Sequence, residues 1–169
     1  MIDFDGIQTI ADFARQQARV RGDSVALWFE NKETTFAKLD ANSNRIANAL
    51  IAADVKPGDR VSYLGKNLDK YYEIMLGAAK ARAALAAINN RLAAPEMQFI
   101  AGDAKSKILF VAQDFYEIAE EVSDDLPDLK GIIAIDGGHS SWPSYEDVRA
   151  KFPDTDPKLD EQPDDDIIQ

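Results

Sequence analysis

The chain has 169 residues, of which 46% are hydrophobic and 29% charged, a composition typical of a single globular domain. Thirty acidic residues against 19 basic ones give a net charge of -11, which disfavours binding to nucleic acid or anionic lipid. The absence of cysteine excludes disulfides, thiolate metal sites and cysteine nucleophiles, and it suits the cytoplasmic location that we expect. No signal peptide or transmembrane segment is predicted, because the longest apolar-rich stretch, residues 81–88, is far too short to cross a bilayer.

The first third of the chain predicts a helix, a β-hairpin and a second helix. Apolar residues recur at helical spacing from Ile10 onward, and Thr9 is a suitable cap for that helix. Residues 25–29 are rich in strand-forming types, and a turn at Asn31–Lys32 folds residues 34–36 back against them. A further apolar stripe predicts a helix over residues 37–53.

Strands and helices alternate after the turn at residues 56–59. Strands are predicted at residues 60–64, 83–88, 108–111 and 131–135, and helices at 68–81, 95–102 and 115–122. The last three strands are continuously apolar, as a strand covered by helices on both faces requires. The predicted fold is therefore α/β, with a mostly parallel, helix-flanked sheet and a small N-terminal β-hairpin. In helix 68–81 we expect Tyr72, Met75, Leu76 and Ala79 to point inward.

The C-terminal segment differs in composition from the rest. Residues 151–166 carry seven Asp or Glu, two Lys and three Pro, so they bury little apolar surface. We predict a scaffold over residues 1–150 and an acidic, proline-containing connector over residues 151–169. Asp164, Asp165 and Asp166 form a cluster of oxygen ligands, but consecutive carboxylates diverge in an extended chain, which favours a solvated charge run over a metal site.

The sequence lacks the common catalytic and nucleotide-binding motifs. It contains neither a G-x-x-x-x-G-K-[ST] phosphate loop nor a G-x-G-x-x-G turn. The segment from Asp136 to Ser141 follows a predicted strand, but its acidic edge and lack of lysine favour an ordinary loop. His139 is the only histidine, so a histidine metal cluster is excluded, and we interpret it as a solvated loop residue. We assign no catalytic, cofactor-binding or metal residue.

Three polar residues follow predicted strands of the sheet. Asn67 comes after strand 60–64, and Asn89 and Arg91 come after strand 83–88. Open α/β sheets place ligand crevices beyond the carboxyl ends of their strands, so these side chains are candidates for the wall of a substrate channel. The alternative is structural: Asn67 caps the helix that starts at Leu68, and Arg91 pairs with Glu96 or another acid.

Tyr71, Tyr72 and Met75 pose the same choice. They are apolar enough to wall a channel, but their helical spacing is more often that of core residues.

Several short motifs resemble the opening portion of the adenylate-forming (AMP-binding) acyl-CoA synthetases, or fatty-acid-CoA ligases. Their order is Thr35-Phe36-Ala37-Lys38-Leu39, Asn44-Arg45-Ile46-Ala47, Gly58-Asp59-Arg60-Val61, Gly77-Ala78-Ala79-Lys80-Ala81 and Ile88-Asn89-Asn90-Arg91-Leu92. Each motif is weak alone, but their order and spacing from Thr9 to Gln169 are fairly specific. Two positions depart from the family pattern, since Arg82 stands where a glycine is usual and Ala87 where a proline is usual. A long side chain at position 82 resists the backbone conformation that glycine permits.

The resemblance implies a two-step reaction. A carboxylic acid and ATP, with Mg²⁺, give an acyl-adenylate, and coenzyme A then displaces AMP to form the thioester. In that family the phosphate loop and catalytic lysine lie downstream of this portion, so we expect an N-terminal fragment that is inactive and binds no cofactor alone. Its expected partners are the remaining domains and a second copy of itself. The alternatives are another adenylate-forming enzyme, such as an adenylation domain or acyl-AMP ligase, and a non-catalytic binding module.

Overall fold

A computed structural model describes residues 6–160 of the chain. Its elements, in chain order, are α1 (Ile10–Arg21), β1 (Val25–Phe29), β2 (Lys32–Thr35), α2 (Phe36–Ala52), β3 (Arg60–Leu64), α3 (Asp69–Lys80), β4 (Ala84–Ile88), α4 (Ala94–Asp103), β5 (Ile108–Val111), α5 (Tyr116–Ser123), β6 (Gly131–Ala134) and α6 (Tyr145–Lys151). A short 3₁₀ turn, Gln113–Phe115, precedes α5. The sequence predicted every element but α6 and this turn, within one or two residues at most ends.

The main sheet has four parallel strands in the order β4-β3-β5-β6. Alternate residues of the same strand enter different clusters: Tyr63 packs with α2 and α3, whereas Leu64 packs with α4 and α5. Side chains of a strand alternate between its two faces, so the sheet is covered on both. The predicted α/β fold with a parallel, helix-flanked sheet is thereby confirmed.

The hairpin and α1 lie beside the helix-covered sheet. β1 and β2 pair antiparallel around Glu30 and Asn31, which have positive φ angles of 46° and 62°. The turn thus begins one residue earlier than the sequence suggested. Thr9 caps α1 as predicted: its hydroxyl accepts from the Asp12 amide, and the Asp12 carboxylate accepts from the Thr9 amide.

Helices α2 and α3 approach each other closely at Gly77. A Cβ built on this residue lies 2.8 Å from the Cβ of Ile46 and 3.0 Å from the carbonyl oxygen of Ser43. The first distance is shorter than real Cβ contacts and the second is tight, so any side chain at position 77 would force the two helices to shift. The main core cluster, with Ile46 and Ile74 fully buried, is assembled around this contact.

The inward face of α3 differs from our prediction. Tyr72 is 45% exposed, so the expectation that it points inward is wrong. The buried residues of the helix are Glu73, Ile74, Leu76, Gly77, Ala78 and Lys80. The buried face of α3 differs for a physical reason. Glu73 and Lys80 occupy inward positions because neighbouring side chains satisfy their charges. The prediction placed only apolar residues inside, so it left these two charged residues out.

Arg82 lies in the turn between α3 and β4 with a φ angle of 57°. The turn thus keeps the left-handed conformation that glycine adopts most easily. Its carbonyl accepts from the Gly58 amide at 2.8 Å, and its guanidinium donates to the carbonyl oxygen of Asp160 at 2.8 Å. The arginine therefore combines a strained backbone with a contact that glycine cannot make.

Residues 152–160, which we call the strap, run without helix or strand after α6. The predicted division into a scaffold and a connector stays a prediction, and Asp164 to Asp166 lie outside the described residues. Across residues 6–160, no helix has the length and apolar character needed to traverse a membrane.

Candidate functional site: the strand-end surface

The carboxyl ends of β3 and β4 bring the three candidate channel residues to one edge of the sheet. Asn67 follows β3, while Asn89 and Arg91 follow the neighbouring strand β4, and all three are exposed. The side-chain amide of Asn90 donates to the carbonyl oxygen of Gly65 at 3.3 Å and joins the two loops. We call the surface formed by Asn67, Asn89 and Arg91 the strand-end surface.

The structural alternatives for two of these residues are wrong. The N-cap of α3 is Leu68, which makes no side-chain cap, so Asn67 does not cap the helix. Glu96 accepts instead from the Ala93 amide at 2.9 Å, and within residues 6–160 the Arg91 side chain has no ion pair. In the part of the chain that the structure describes, two polar side chains therefore have no partner at the edge where an open α/β sheet places its ligands.

The backbone beneath this surface is held by its own contacts. The Tyr63 hydroxyl donates to the carbonyl oxygen of Lys66 at 2.5 Å, and burial raises the pKa of that phenol well above its usual range. Gly65 leaves room for this arrangement, because a Cβ there would lie 2.9 Å from the Tyr63 hydroxyl. The loop after β3 is thus fixed by an uncharged tyrosine, and the side chain of Asn67 takes no part in holding it among residues 6–160.

A polar cavity of about 340 Å³ lies between the hairpin, α3 and α6. Its wall includes Glu73, which is 4% exposed, and sequence reasoning missed this residue. The two carboxylate oxygens accept from Asn42 Nδ2 at 2.7 Å, from the Tyr145 hydroxyl at 2.7 Å and from Arg149 at 3.0 Å. No sequence signal pairs Glu73 with Tyr145, because the two residues are 72 positions apart.

The charged groups around Glu73 are paired with one another. Burial raises the pKa of Tyr145 well above its usual value, and the Glu73 carboxylate adds to the rise. Burial lowers the pKa of Arg149, but Glu73 and Glu146 outweigh that effect and raise it. Both shifts favour the ordinary protonation states of these groups at neutral pH, in which both donate hydrogen bonds to Glu73.

His139 is not the solvated residue that we expected. Its ring stacks on Trp142 with centroids 3.8 Å apart, Tyr116 packs edge-on against both, and Nε2 lies 3.0 Å from a Glu120 oxygen. Only 12% of its side chain is exposed. The aromatic neighbours lie three residues ahead and 23 residues back along the chain, so the loop folds onto α5 by contacts that its polar sequence does not suggest.

An apolar groove of about 640 Å³ lies at the β6 edge of the sheet. The strand-end surface lies at the other edge, beyond the ends of β3 and β4. The groove is lined by residues of α2, β5, β6 and the segment that leads into α6, including Leu50, Ile133, Trp142 and Phe152. The three tyrosine and methionine candidates lie elsewhere, on α3: Tyr71 and Met75 pack partly buried against the main core cluster.

The exposed polar side chains of the strand-end surface are groups that can bind a ligand. Within residues 6–160 no three histidine, aspartate or glutamate side chains come together in a way that would hold a metal ion. The strand-end surface presents amide and guanidinium groups, which orient a polar ligand through hydrogen bonds.

Comparisons with known proteins agree with this architecture. The family model for AMP-binding enzymes matches residues 14–168. The fatty acid-[acyl-carrier-protein] ligase ScoC of Streptomyces coeruleorubidus is 36% identical over 152 residues, which are 90% of this chain and 28% of that protein. The long-chain-fatty-acid-CoA ligase FadD13 of Mycobacterium tuberculosis is 43% identical over 75 residues, which are 44% of this chain and 15% of that protein.

A solved structure shows the same fold. The N-terminal domain of FACL13 from Mycobacterium tuberculosis superposes with a TM-score of 0.85 and 27% identity, over 94% of this chain and 40% of that domain. The chain thus spans well under half the length of each of these three proteins, and in the two ligases compared by sequence it matches at most 28% of the length.

Proposed function

The chain belongs to the AMP-binding enzyme family, and we propose that it forms the N-terminal part of an ATP-dependent acyl-CoA ligase. In this proposal the parent enzyme converts a carboxylic acid and ATP, with Mg²⁺, into an acyl-adenylate and then into a CoA thioester in the cytoplasm. The observation that carries the proposal is the family match over residues 14–168, supported by ligase relatives such as FadD13 and by the fold of FACL13.

We propose that the strand-end surface is part of the wall of the acyl or CoA channel. Asn67 and Arg91 support this role, because both are exposed and neither side chain makes a hydrogen bond or ion pair within residues 6–160. A guanidinium group binds phosphates and carboxylates in the same forked geometry, and both groups occur in the substrates of the proposed reaction.

A chimera tests the proposed function. Residues 14–168 would replace the matching portion of FACL13, whose N-terminal domain has the same fold. We expect carboxylate-dependent exchange of pyrophosphate into ATP, together with acyl-CoA formation. A folded chimera with no exchange activity for any fatty acid would contradict the proposal, and the original FACL13 serves as the control.

The chain by itself is proposed to be inactive and to bind ATP negligibly. Phosphate affinity comes from several backbone amides and a lysine gripping the ligand together, and no motif of that kind occurs in the sequence. Calorimetric titration with Mg-ATP is expected to give no heat of binding. A micromolar dissociation constant would contradict this part of the proposal.

A second candidate is a ligase that transfers the acyl group to a carrier protein instead of CoA. The observation that favours it is the name of ScoC, which matches 90% of this chain. Assaying thioester formation by the chimera with CoA and with a phosphopantetheinylated carrier protein distinguishes the two thiol acceptors.

Self-association is also part of the proposal. The apolar groove leaves Trp142 and Phe152 partly exposed, and contiguous apolar surface of this kind is commonly covered in an assembly. We expect light scattering coupled to size exclusion to show a concentration-dependent dimer over a tenfold range. A monomer mass at every concentration would contradict it and favour a self-contained module.

A further inference from the structure

Residues 44–48 of α2 contact residues 152–155 of the strap. Asn48 Nδ2 lies 3.0 Å from the carbonyl oxygen of Pro153 and 2.8 Å from that of Thr155. Asn44 Nδ2 donates to the carbonyl oxygen of Asp154, between them, at 2.9 Å. Three consecutive main-chain carbonyls are therefore bound by two asparagines one helical turn apart, which lie on the same face of the helix.

Charged contacts are added to these main-chain contacts. Arg45 lies 2.9 Å from a carboxylate oxygen of Asp154, and Arg15 of α1 binds Asp156 through both Nε and Nη2, at 2.5 and 3.1 Å. The two carboxylates are two positions apart, as an extended chain requires if both are to face the helices. Charge-assisted bonds of this kind are stronger than neutral ones.

Asn44 is held in the orientation that this contact needs. Its Oδ1 accepts from the Nζ of Lys80 at 2.6 Å, which leaves its Nδ2 directed at the strap. Lys80 is fully buried, and its ammonium also contacts the Asp40 carboxylate at 2.6 Å and the Ser43 hydroxyl at 2.8 Å. Asn44 is thus anchored in the core through Lys80.

From these contacts we infer that the α1–α2 face is a docking surface for an extended acidic peptide segment, and that its occupant is the chain's own strap. The surface recognises main-chain carbonyls through Asn44 and Asn48, and it selects carboxylates at two alternate positions through Arg15 and Arg45. The strap buries few apolar side chains, so these polar contacts hold it in place. This inference is independent of the proposed function, because it needs no activity or ligand.

Limited trypsin digestion of the full chain tests the docking. The Lys158–Leu159 bond lies inside the strap, and cleavage requires the strap to leave the surface. The bond after Lys105, in an exposed turn before β5, is the internal reference for the rest of the fold. We expect Asn48→Ala to speed cleavage after Lys158 about tenfold relative to the reference, because two hydrogen bonds are lost.

Matched substitutions separate docking from general loosening. Lys38→Ala removes an exposed side chain of the same helix that does not contact the strap, and it should leave the ratio of the two cleavage rates unchanged. Asp156→Asn should raise the ratio roughly fivefold through the loss of a charge-assisted contact, whereas Thr155→Ala, which keeps the main-chain carbonyl, should not raise it.

Two results would overturn the inference. One is a wild-type protein cleaved after Lys158 as fast as after Lys105. The other is an Asn48→Ala protein whose ratio of cleavage rates stays within twofold of wild type. Arg45→Ala is a second variant, outside the core, that is expected to raise the ratio in the same direction.

Discussion

The buried polar residues of α3 and the polar residues of the strand-end surface follow opposite rules. Glu73 is 4% exposed and Lys80 0%, and each has at least three hydrogen-bond partners. Asn67 and Arg91 are exposed, and their side chains make no contact of this kind within residues 6–160. A charge removed from water must be paired, whereas a charge left in water need not be. The fold therefore uses the first pair, and the second pair is available to a ligand.

The largest effect that tests this comparison is expected at Glu73. Glu73→Ala leaves Arg149 and the Tyr145 hydroxyl without their buried partner, so we expect a loss of about 3–5 kcal/mol in the free energy of unfolding. Urea denaturation measures it. Glu146→Ala removes an exposed carboxylate that contacts the same arginine, and it should cost less than about 1 kcal/mol. Equal losses in the two variants would contradict the claim that burial decides how much a carboxylate contributes to the free energy of unfolding.

The next largest effect concerns the close contact of α2 with α3. Helix propensity alone favours Gly77→Ala by about 1 kcal/mol. The Ile46 side chain blocks the added methyl group, so we expect a net loss of about 1–3 kcal/mol.

Gly102→Ala on α4 is the matched control for this prediction. Its Cβ would meet only Leu126 Cδ2, at 3.6 Å, so the same substitution should stabilise by up to about 1 kcal/mol. Thermal unfolding of both variants should therefore shift the midpoint in opposite directions. A shift of the same sign in both variants would show that the contact with Ile46 does not decide whether alanine stabilises or destabilises the helix at position 77.

At Arg82 a strained backbone conformation is set against side-chain contacts that include a hydrogen bond to Asp160. Arg82→Gly relieves the positive φ but removes the contact with Asp160, so we expect a change within about 1 kcal/mol of zero. Arg82→Ala keeps the strain and loses the contact, and it should be about 1 kcal/mol less stable than the glycine variant. Urea unfolding of the two variants side by side checks this order, and the reverse order would show that the backbone is not strained.

Acid should weaken the contact of Asp156 with Arg15. Burial raises the pKa of this carboxyl, but the bonds from Arg15 and from the Lys158 amide outweigh it and hold the pKa below its usual value. A lowered pKa contributes stability above the unfolded value, near 3.9, and that stability is lost as the pH falls through the folded value. The difference in unfolding free energy between wild type and Asp156→Asn should therefore shrink from pH 6 to pH 3. A constant difference would contradict it.

The smallest effects are expected at the strand-end surface. Asn67→Ala and Arg91→Ala should each change the free energy of unfolding by less than about 0.5 kcal/mol, because neither side chain has a partner in the described part of the chain. Urea unfolding measures both. A loss above 1 kcal/mol in either variant would assign it to the scaffold instead.

The sequence predicted what depends on local patterns. The continuously apolar strands, the Thr9 cap and the turn before β3 are encoded within a few residues, so the α/β fold followed from them. Asn67, Asn89 and Arg91 were predicted to lie beyond the strand ends, which are visible in sequence, and they do; their role in a channel stays a prediction. The resemblance to AMP-binding enzymes rested on the order of weak motifs, and the family match confirms it.

The rest depends on contacts between distant residues. Glu73 meets Tyr145 across 72 positions, and Asn44 meets Asp154 across 110, so neither partner is marked by local periodicity. Helix α6 is only seven residues long and was missed for want of a repeated apolar stripe. Charged residues at inward positions moved the buried face of α3 away from Tyr72.

The most direct test of the central claim is a pair of measurements on one variant of the chimera with FACL13. Arg91→Ala should raise the KM for either the carboxylic acid or CoA at least fivefold, while the thermal midpoint stays within about 1 °C of the parent chimera. Glu96→Ala, at the neighbouring helix start, should lower the midpoint without changing either KM. Unchanged KM values for both substrates in Arg91→Ala, or a lowered midpoint, would contradict the assignment of the strand-end surface to the substrate channel.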